Sequence, residues 1–123
     1  MLLVKTYIDK SNIQGIGLFA GEDIAEGTAI WRFVEGFDFV ISKSNFQDLP
    51  EITKEWILTY AYFNTKEGGY VICTDNGRFA NHSLNNNITD CFDLSIAKRN
   101  IYKGEELTCN YFDFDETAKD KLL

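Results

Sequence analysis

The side chains with the most evident chemistry lie in three short stretches of this 123-residue chain. The sole histidine, His82, stands in Arg78-Phe79-Ala80-Asn81-His82-Ser83-Leu84-Asn85. A histidine among polar groups can act as a general base, but it must reach the proton it takes, and no partner is visible in the sequence. Taken alone, the stretch reads as a satisfied structural turn. One histidine and three scattered cysteines (73, 91 and 109) make no plausible metal shell, so no metal is expected. The second stretch is Lys103-Gly104-Glu105-Glu106-Leu107-Thr108-Cys109-Asn110-Tyr111. Its two glutamates suggest a carboxylate pair, yet neighbours on a strand point to opposite faces and do not converge on one bond, so they read as turn charges. Tyr111 reads as a half-buried strand end. The third is Gln14-Gly15-Ile16-Gly17-Leu18-Phe19-Ala20. It lacks the third glycine and the following helix of a dinucleotide fingerprint and reads as a tight turn between strands.

Taken together and in this order, the stretches resemble the signature set of SET-domain protein-lysine methyltransferases: G-x-G-x-F-A, then R-F-x-N-H-S, then G-E-E-L-T-x-N/D-Y. The resemblance runs from about Tyr7 to Asp115. It implies S-adenosylmethionine as cofactor and the side-chain amine of a protein lysine as methyl acceptor. The backbone of Gly15, Ile16 and Gly17 would lie against the cofactor, where close approach favours small residues. Asn81 would hold its amino-acid end, the His82 backbone would meet the adenine, and the His82 ring would hold the local fold. Tyr111 is implied as the catalytic residue and a cofactor neighbour. Phe114 is the candidate to cover the adenine in place of a zinc-bound flank. The implied fold is β-clip-like, mainly β with a helical insert and several short sheets. The 78–87 and 105–112 stretches would pack as a pseudoknot near the active site.

The chain departs from the family in places. Cys109 stands where many members carry Phe or Tyr, which leaves the number of methyl groups added open. Val34-Glu35 before Gly36 lacks a frequent tyrosine, so Trp31, Phe33, Tyr60 and Tyr62 are candidates for channel walls. The sequence shows no cysteine-rich zinc flanks, as in minimal bacterial or viral members, and a homodimer completing the site is an expectation. Glu105, Glu106, Asp113 and Asp115 are expected to form an acidic rim for a basic protein segment. The reading from another class is a non-catalytic SET-like module that holds S-adenosylmethionine or a basic peptide as a ligand.

Bulk properties agree with a folded protein. A chain of this length hides roughly 60–70% of its unfolded surface and reads as one domain over residues 1–123. Hydrophobic content is 45% and charged content 25%, ordinary for a soluble chain. A net charge of −7 disfavours direct nucleic-acid binding, which needs clustered Lys and Arg, and suits a basic partner. Without a C-x-x-C pair, signal peptide or membrane span, the chain reads as cytoplasmic and reduced, or as residing inside a host cell if its source is a virus or intracellular bacterium.

The elements that must carry these residues follow from periodicity. Strands are expected over 3–8, 18–20, 29–33, 37–41, 70–74, 92–98 and 106–109. A helix is expected over 48–63, capped by Asp48, with Pro50 in its first turn and a buried stripe of Leu49, Ile52, Trp56, Tyr60 and Phe63. Asp115 is expected to cap a short terminal helix.

Overall fold

The computed structural model describes residues 1–91 and 94–121. Its strands are β1 (Thr6–Lys10), β2 (Ile16–Ala20), β3 (Ala29–Arg32), β4 (Phe39–Ser42), β5 (Tyr62–Asn64), β6 (Gly69–Ile72), β7 (Asn81–His82), β8 (Ile88–Cys91), β9 (Leu94–Ala97) and β10 (Thr108–Cys109). Helices are α1 (Lys43–Gln47), α2 (Glu51–Tyr60) and α3 (Ala118–Lys121). The strands form small sheets, ordered β1-β2, β3-β9-β8, β4-β6-β5 and β10-β7, the last pair parallel. This is the mainly β architecture with a helical insert that the resemblance implies.

Each sheet is too small to bury its own apolar face, so the sheets share one core. Leu18, Ile30, Ile101 and Leu107 are at most 1% exposed and meet Ala20, Ile24, Ile88 and Ala97. Burying a side chain of this size contributes roughly 1.5–3 kcal/mol. Strand β2 lies at the centre: it pairs with β1 from Thr6–Ala20 to Lys10–Ile16, and on its other side meets residues 104–107. There Leu107 N–H donates to Leu18 O at 2.7 Å and Ala20 N–H to Glu105 O at 2.9 Å. The β1–β2 turn closes where Gly15 takes a left-handed φ of 50° and Ser11 N–H donates to Gly15 O.

Several elements differ from the sequence reading. Strand β1 starts at Thr6 because Leu2 and Leu3 are drawn to β3, with Leu3 N–H donating to Ile30 O. Strand β4 is not half-buried: Phe39 and Val40 are exposed, and the buried residue there is Asp38, which accepts from the N–H groups of Val34 and Thr74. The expected helix is broken in two. Asp48 ends α1 rather than capping α2, and Pro50 is the α2 cap, without a side-chain bond. The buried stripe is also displaced: Ile57 is 1% exposed, whereas Ile52 is 72% and Trp56 42% exposed. Phe63 belongs to β5. Strand β8 was unforeseen, and the expected 92–98 strand is β9, its first two positions lying outside the described residues.

The two faces of α2 make a direct test. Ile57→Ala should cost about 2–4 kcal/mol in urea unfolding, since it leaves a cavity. Ile52→Ala should stay within about 0.5 kcal/mol. Equal losses would overturn this orientation of the helix.

Candidate active site

A 3-10 turn over Asn76–Phe79, capped by Asp75 Oδ1 on Gly77 N–H at 3.0 Å, delivers Asn81 and His82 into β7. Strand β7 runs parallel to β10, Asn81 beside Thr108 and His82 beside Cys109. Asn87, 3% exposed, clamps the pair: its Nδ2 donates to Glu106 O at 2.8 Å and its Oδ1 accepts from Thr108 N–H at 2.9 Å. Ser83 N–H adds a bond to Cys109 O at 3.0 Å. The 78–87 and 105–112 stretches therefore pack together.

Glu106 ties all three sequence stretches into one cluster. Its carboxylate accepts from Ser11 Oγ at 2.8 and 2.9 Å and from Asn81 Nδ2 at 3.0 Å. Asn81 Nδ2 also faces Gln14 O at 3.1 Å. A Cβ on Gly17 would stand 2.5 Å from Glu106 Oε2, so the glycine makes room for this carboxylate. Glu106 is thus a structural hub and not a turn charge. The signal was present in the sequence as a glycine stretch and a glutamate, 89 positions apart, that share one volume.

The expected acidic rim does not form as a set. Glu106 is engaged inside the cluster. Asp115 is 5% exposed and accepts from Phe63 N–H and from the Thr117 N–H and hydroxyl. Glu105 pairs with Arg99 at 3.1 Å. Its carboxyl is lowered, burial being opposed by the Tyr102 N–H and the Arg99 guanidinium.

His82 uses its ring structurally: Nδ1 accepts from Tyr111 N–H at 3.0 Å, and the ring packs on Tyr111 and Phe112 at 5.3 and 5.6 Å. This holds Tyr111, whose hydroxyl donates to Ala80 O at 2.8 Å. Burial, with Cys109 nearby, pushes that hydroxyl well above the ordinary tyrosine range, so it is a neutral donor rather than a phenolate. Burial likewise raises the Tyr62 hydroxyl and the Cys109 thiol and pushes the Cys73 thiol up to about 12. Neither thiol is an activated nucleophile.

Two hollows meet at Tyr111. An open cleft of about 560 Å³ is lined by Gln14, Gly15, Ile16, Leu58, Phe79 and Asn81, with Thr59, Tyr60, Arg78 and Tyr111 at its inner side. The same four residues border an inner, mostly apolar cavity of about 90 Å³. Trp31, Tyr62, Cys109 and Phe114 also line the inner cavity; Phe33 does not. Phe114 packs on Tyr62 and Tyr111 at 4.9 and 5.8 Å. Of the sequence candidates, Gly15, Ile16, Asn81 and Tyr111 line the cleft. Gly17 packs on Glu106, His82 supports Tyr111, and Phe114 walls the inner cavity.

The sequence reading missed Asp90, which also lines the inner cavity. It lies two positions after buried Ile88 on β8, the spacing that places both side chains on one face. The signal was lost because the run was read as turn. Ser95 Oγ donates to Asp90 Oδ1 at 2.5 Å, while Oδ2 is buried without a partner. Burial raises its carboxyl to about 6, opposed by Ser95 and supported by Asp113.

Comparison with known proteins places this arrangement. The SET domain family matches residues 15–112. Histone-lysine N-methyltransferase trr of Drosophila melanogaster is 32% identical over 91% of this chain and 5% of its own length. The H3 lysine-36 specific histone-lysine N-methyltransferase of Mycosarcoma maydis is 33% identical over 87% of this chain and 12% of its own. The chain thus spans only a small part of these relatives. Among solved structures, ctPRC2 in an autoinhibited conformation bound to S-adenosylmethionine, from Chaetomium thermophilum, has a TM-score of 0.67 at 25% identity, covering 97% of this chain and 16% of that one.

Asp90 gives this site a pH signature. Its carboxyl sits near 6 in the folded chain against 3.8 unfolded, so its stabilising contribution is complete below 3.8 and is lost as pH rises through 6. Asp90→Asn should therefore exceed the native protein by about 3 kcal/mol at pH 7 and by almost nothing at pH 3.5, read by urea unfolding. A variant less stable at pH 7 would show that the charge is compensated.

Proposed function

The chain belongs to the SET-domain family, and from that premise we propose that it transfers a methyl group from S-adenosylmethionine to the side-chain amine of lysine in a protein substrate. One observation carries the reading: an open cleft and a narrow apolar cavity meet at Thr59, Tyr60, Arg78 and Tyr111. Donor and acceptor thereby have adjoining sites that share these four residues.

The residues present fit the cofactor. The cleft volume lies within the usual range for ligand sites. Gly15 has open space where a Cβ would stand, and Ile16 presents a half-exposed apolar side chain. Asn81 Nδ2 is held by Glu106, Ser11 and Gln14, which leaves its Oδ1 as an acceptor for an ammonium. In this reading Gly15, Ile16 and Asn81 hold the cofactor, Gly17 and His82 support that wall from behind, and Phe114 closes the amine side rather than the adenine.

When bound, the cofactor supplies an electrophilic sulfonium methyl. The chain must bring the amine in line with it, the reacting atoms about 3–3.5 Å apart. A free lysine has a pKa near 10.4, so its neutral form costs about 4–5 kcal/mol at pH 7. The apolar walls of Trp31, Tyr62 and Phe114 disfavour the ammonium and reduce that cost. Tyr111, neutral and oriented through Ala80 and His82, positions the amine rather than taking its proton. Cys109 leaves space that a Phe or Tyr would fill. A chain of net charge −7 suits a basic, lysine-bearing segment.

Calorimetry should give micromolar-range S-adenosylmethionine binding, weakened at least tenfold in Asn81→Ala. Tyr111→Phe should retain that affinity while lowering methyl transfer to core histones from labelled S-adenosylmethionine by about a hundredfold. Undiminished transfer in Tyr111→Phe would remove Tyr111 from the mechanism. Binding without transfer to any lysine-bearing protein would favour a non-catalytic module.

A further inference from the structure

The inner cavity contains one group that the mechanism above leaves unused. Asp90 reaches it from β8, with Oδ1 fixed by Ser95 Oγ at 2.5 Å and Oδ2 buried without a partner. The Trp31 indole N–H on the same wall is also buried and unpaired. An unpaired buried carboxylate is costly, and such exceptions in a folded protein call for an explanation. The groups acting on Asp90 do not neutralise it. The nearby Asp113 carboxyl raises Asp90 further, and the hydroxyl of Tyr62 and the thiols of Cys73 and Cys109 are held neutral. Asp115, on the same cavity wall, serves Phe63 and Thr117. The cation on that wall, Arg78, donates to Thr74 O and Asp75 O and lies over the Phe79 ring at 4.6 Å.

We propose that Asp90 is the receptor for the substrate's amine in the inner cavity, Oδ2 accepting one of its N–H groups. The inference rests on the methyltransferase reading for its role in turnover, although the amine site itself can be probed alone. A cavity of about 90 Å³ admits the end of an alkylamine and a few waters. The carboxylate draws the cation into an otherwise apolar space. Once the ammonium has lost a proton to water, an N–H bonded to Oδ2 leaves the nitrogen lone pair free to turn toward the methyl carbon. That lone pair forms the N–C bond as the C–S pair departs with sulfur. Positive charge thus moves from sulfur to nitrogen, and an anion on the nitrogen side is bound more strongly in the transition state than before it. The same carboxylate makes proton loss from the bound ammonium costlier, offsetting part of what the apolar walls save, so Asp90 serves lysine recognition first and stabilises the developing charge only once the proton has left. The arrangement also explains why a site that burdens stability is retained, since functional groups are commonly held at such a cost.

The test uses n-butylammonium, a lysine side-chain mimic that stays cationic from pH 5 to 8, with n-butanol as the neutral control, followed by NMR shifts of cavity residues. The native protein should bind the ammonium in preference to the alcohol, more tightly as pH rises through about 6. Asp90→Asn and Asp90→Leu should bind it at least tenfold more weakly, without pH dependence, while Asp90→Asn unfolds at higher urea and keeps native S-adenosylmethionine affinity. Equal ammonium affinity in native protein and variants, or none in the native protein, would overturn the proposal. Loss of S-adenosylmethionine binding by the native protein, with amine binding intact, would instead overturn the methyltransferase reading and leave the amine site standing.

Discussion

The contact on which the site depends is the one between the Glu106 carboxylate and the Asn81 amide, with Ser11 on its other flank. It joins residues 95 and 25 positions apart. A carboxylate that accepts several bonds is strongly held, and each donor is fixed in turn by its own segment. Ser11 sits at the head of the β1–β2 turn, Asn81 in β7, and Glu106 just before β10. Fixing these three atoms fixes the cleft wall, because Gln14, Gly15 and Ile16 hang from the same turn. The absent Cβ of Gly17 is a condition of the contact.

The two hollows at Tyr111 differ in character, and the difference suits their proposed roles. The larger one is lined by Gln14, Gly15, Ile16 and Asn81, among which the amides suit a polar ligand. The inner one is small and walled by aromatic rings, with one carboxyl group lacking a partner on its second oxygen. Tyr111 borders both and is locked by His82 from its backbone and by Ala80 from its hydroxyl. The single histidine thus acts at one remove, through the tyrosine that it positions.

Much of this was legible in the sequence because the motifs carry special backbone demands. Gly15 needs a left-handed φ, and the Asn-His pair ends in a ladder that only a particular turn can deliver. The family, the mainly β fold and the placing of Asn81 and Tyr111 at one site came from the resemblance that the three ordered motifs carry, and both residues line the cleft. What was not legible depends on long-range packing. Ile52 and Trp56 fit a helical stripe as well as Ile57 does, and only the surrounding sheets decide which face is buried. Glu106 resembles any turn charge until Ser11 and Asn81 are folded around it. Strand β8 was obscured by its three preceding asparagines, and Asp90 was hidden with it.

The parallel ladder between β7 and β10 also governs how the protein comes into being. The paired residues of these two-residue strands are 27 positions apart, and the antiparallel β8–β9 pair lies between them. Contacts so distant in sequence make folding slow, since loop entropy is lost before the contact compensates. During synthesis Ser11 and Gln14 precede Asn81, but the carboxylate that completes the cluster comes only with Glu106. The core-facing side of β2 waits equally long for Leu107. The cleft wall and the core over β2 are therefore completed by the same late segment, residues 104–109.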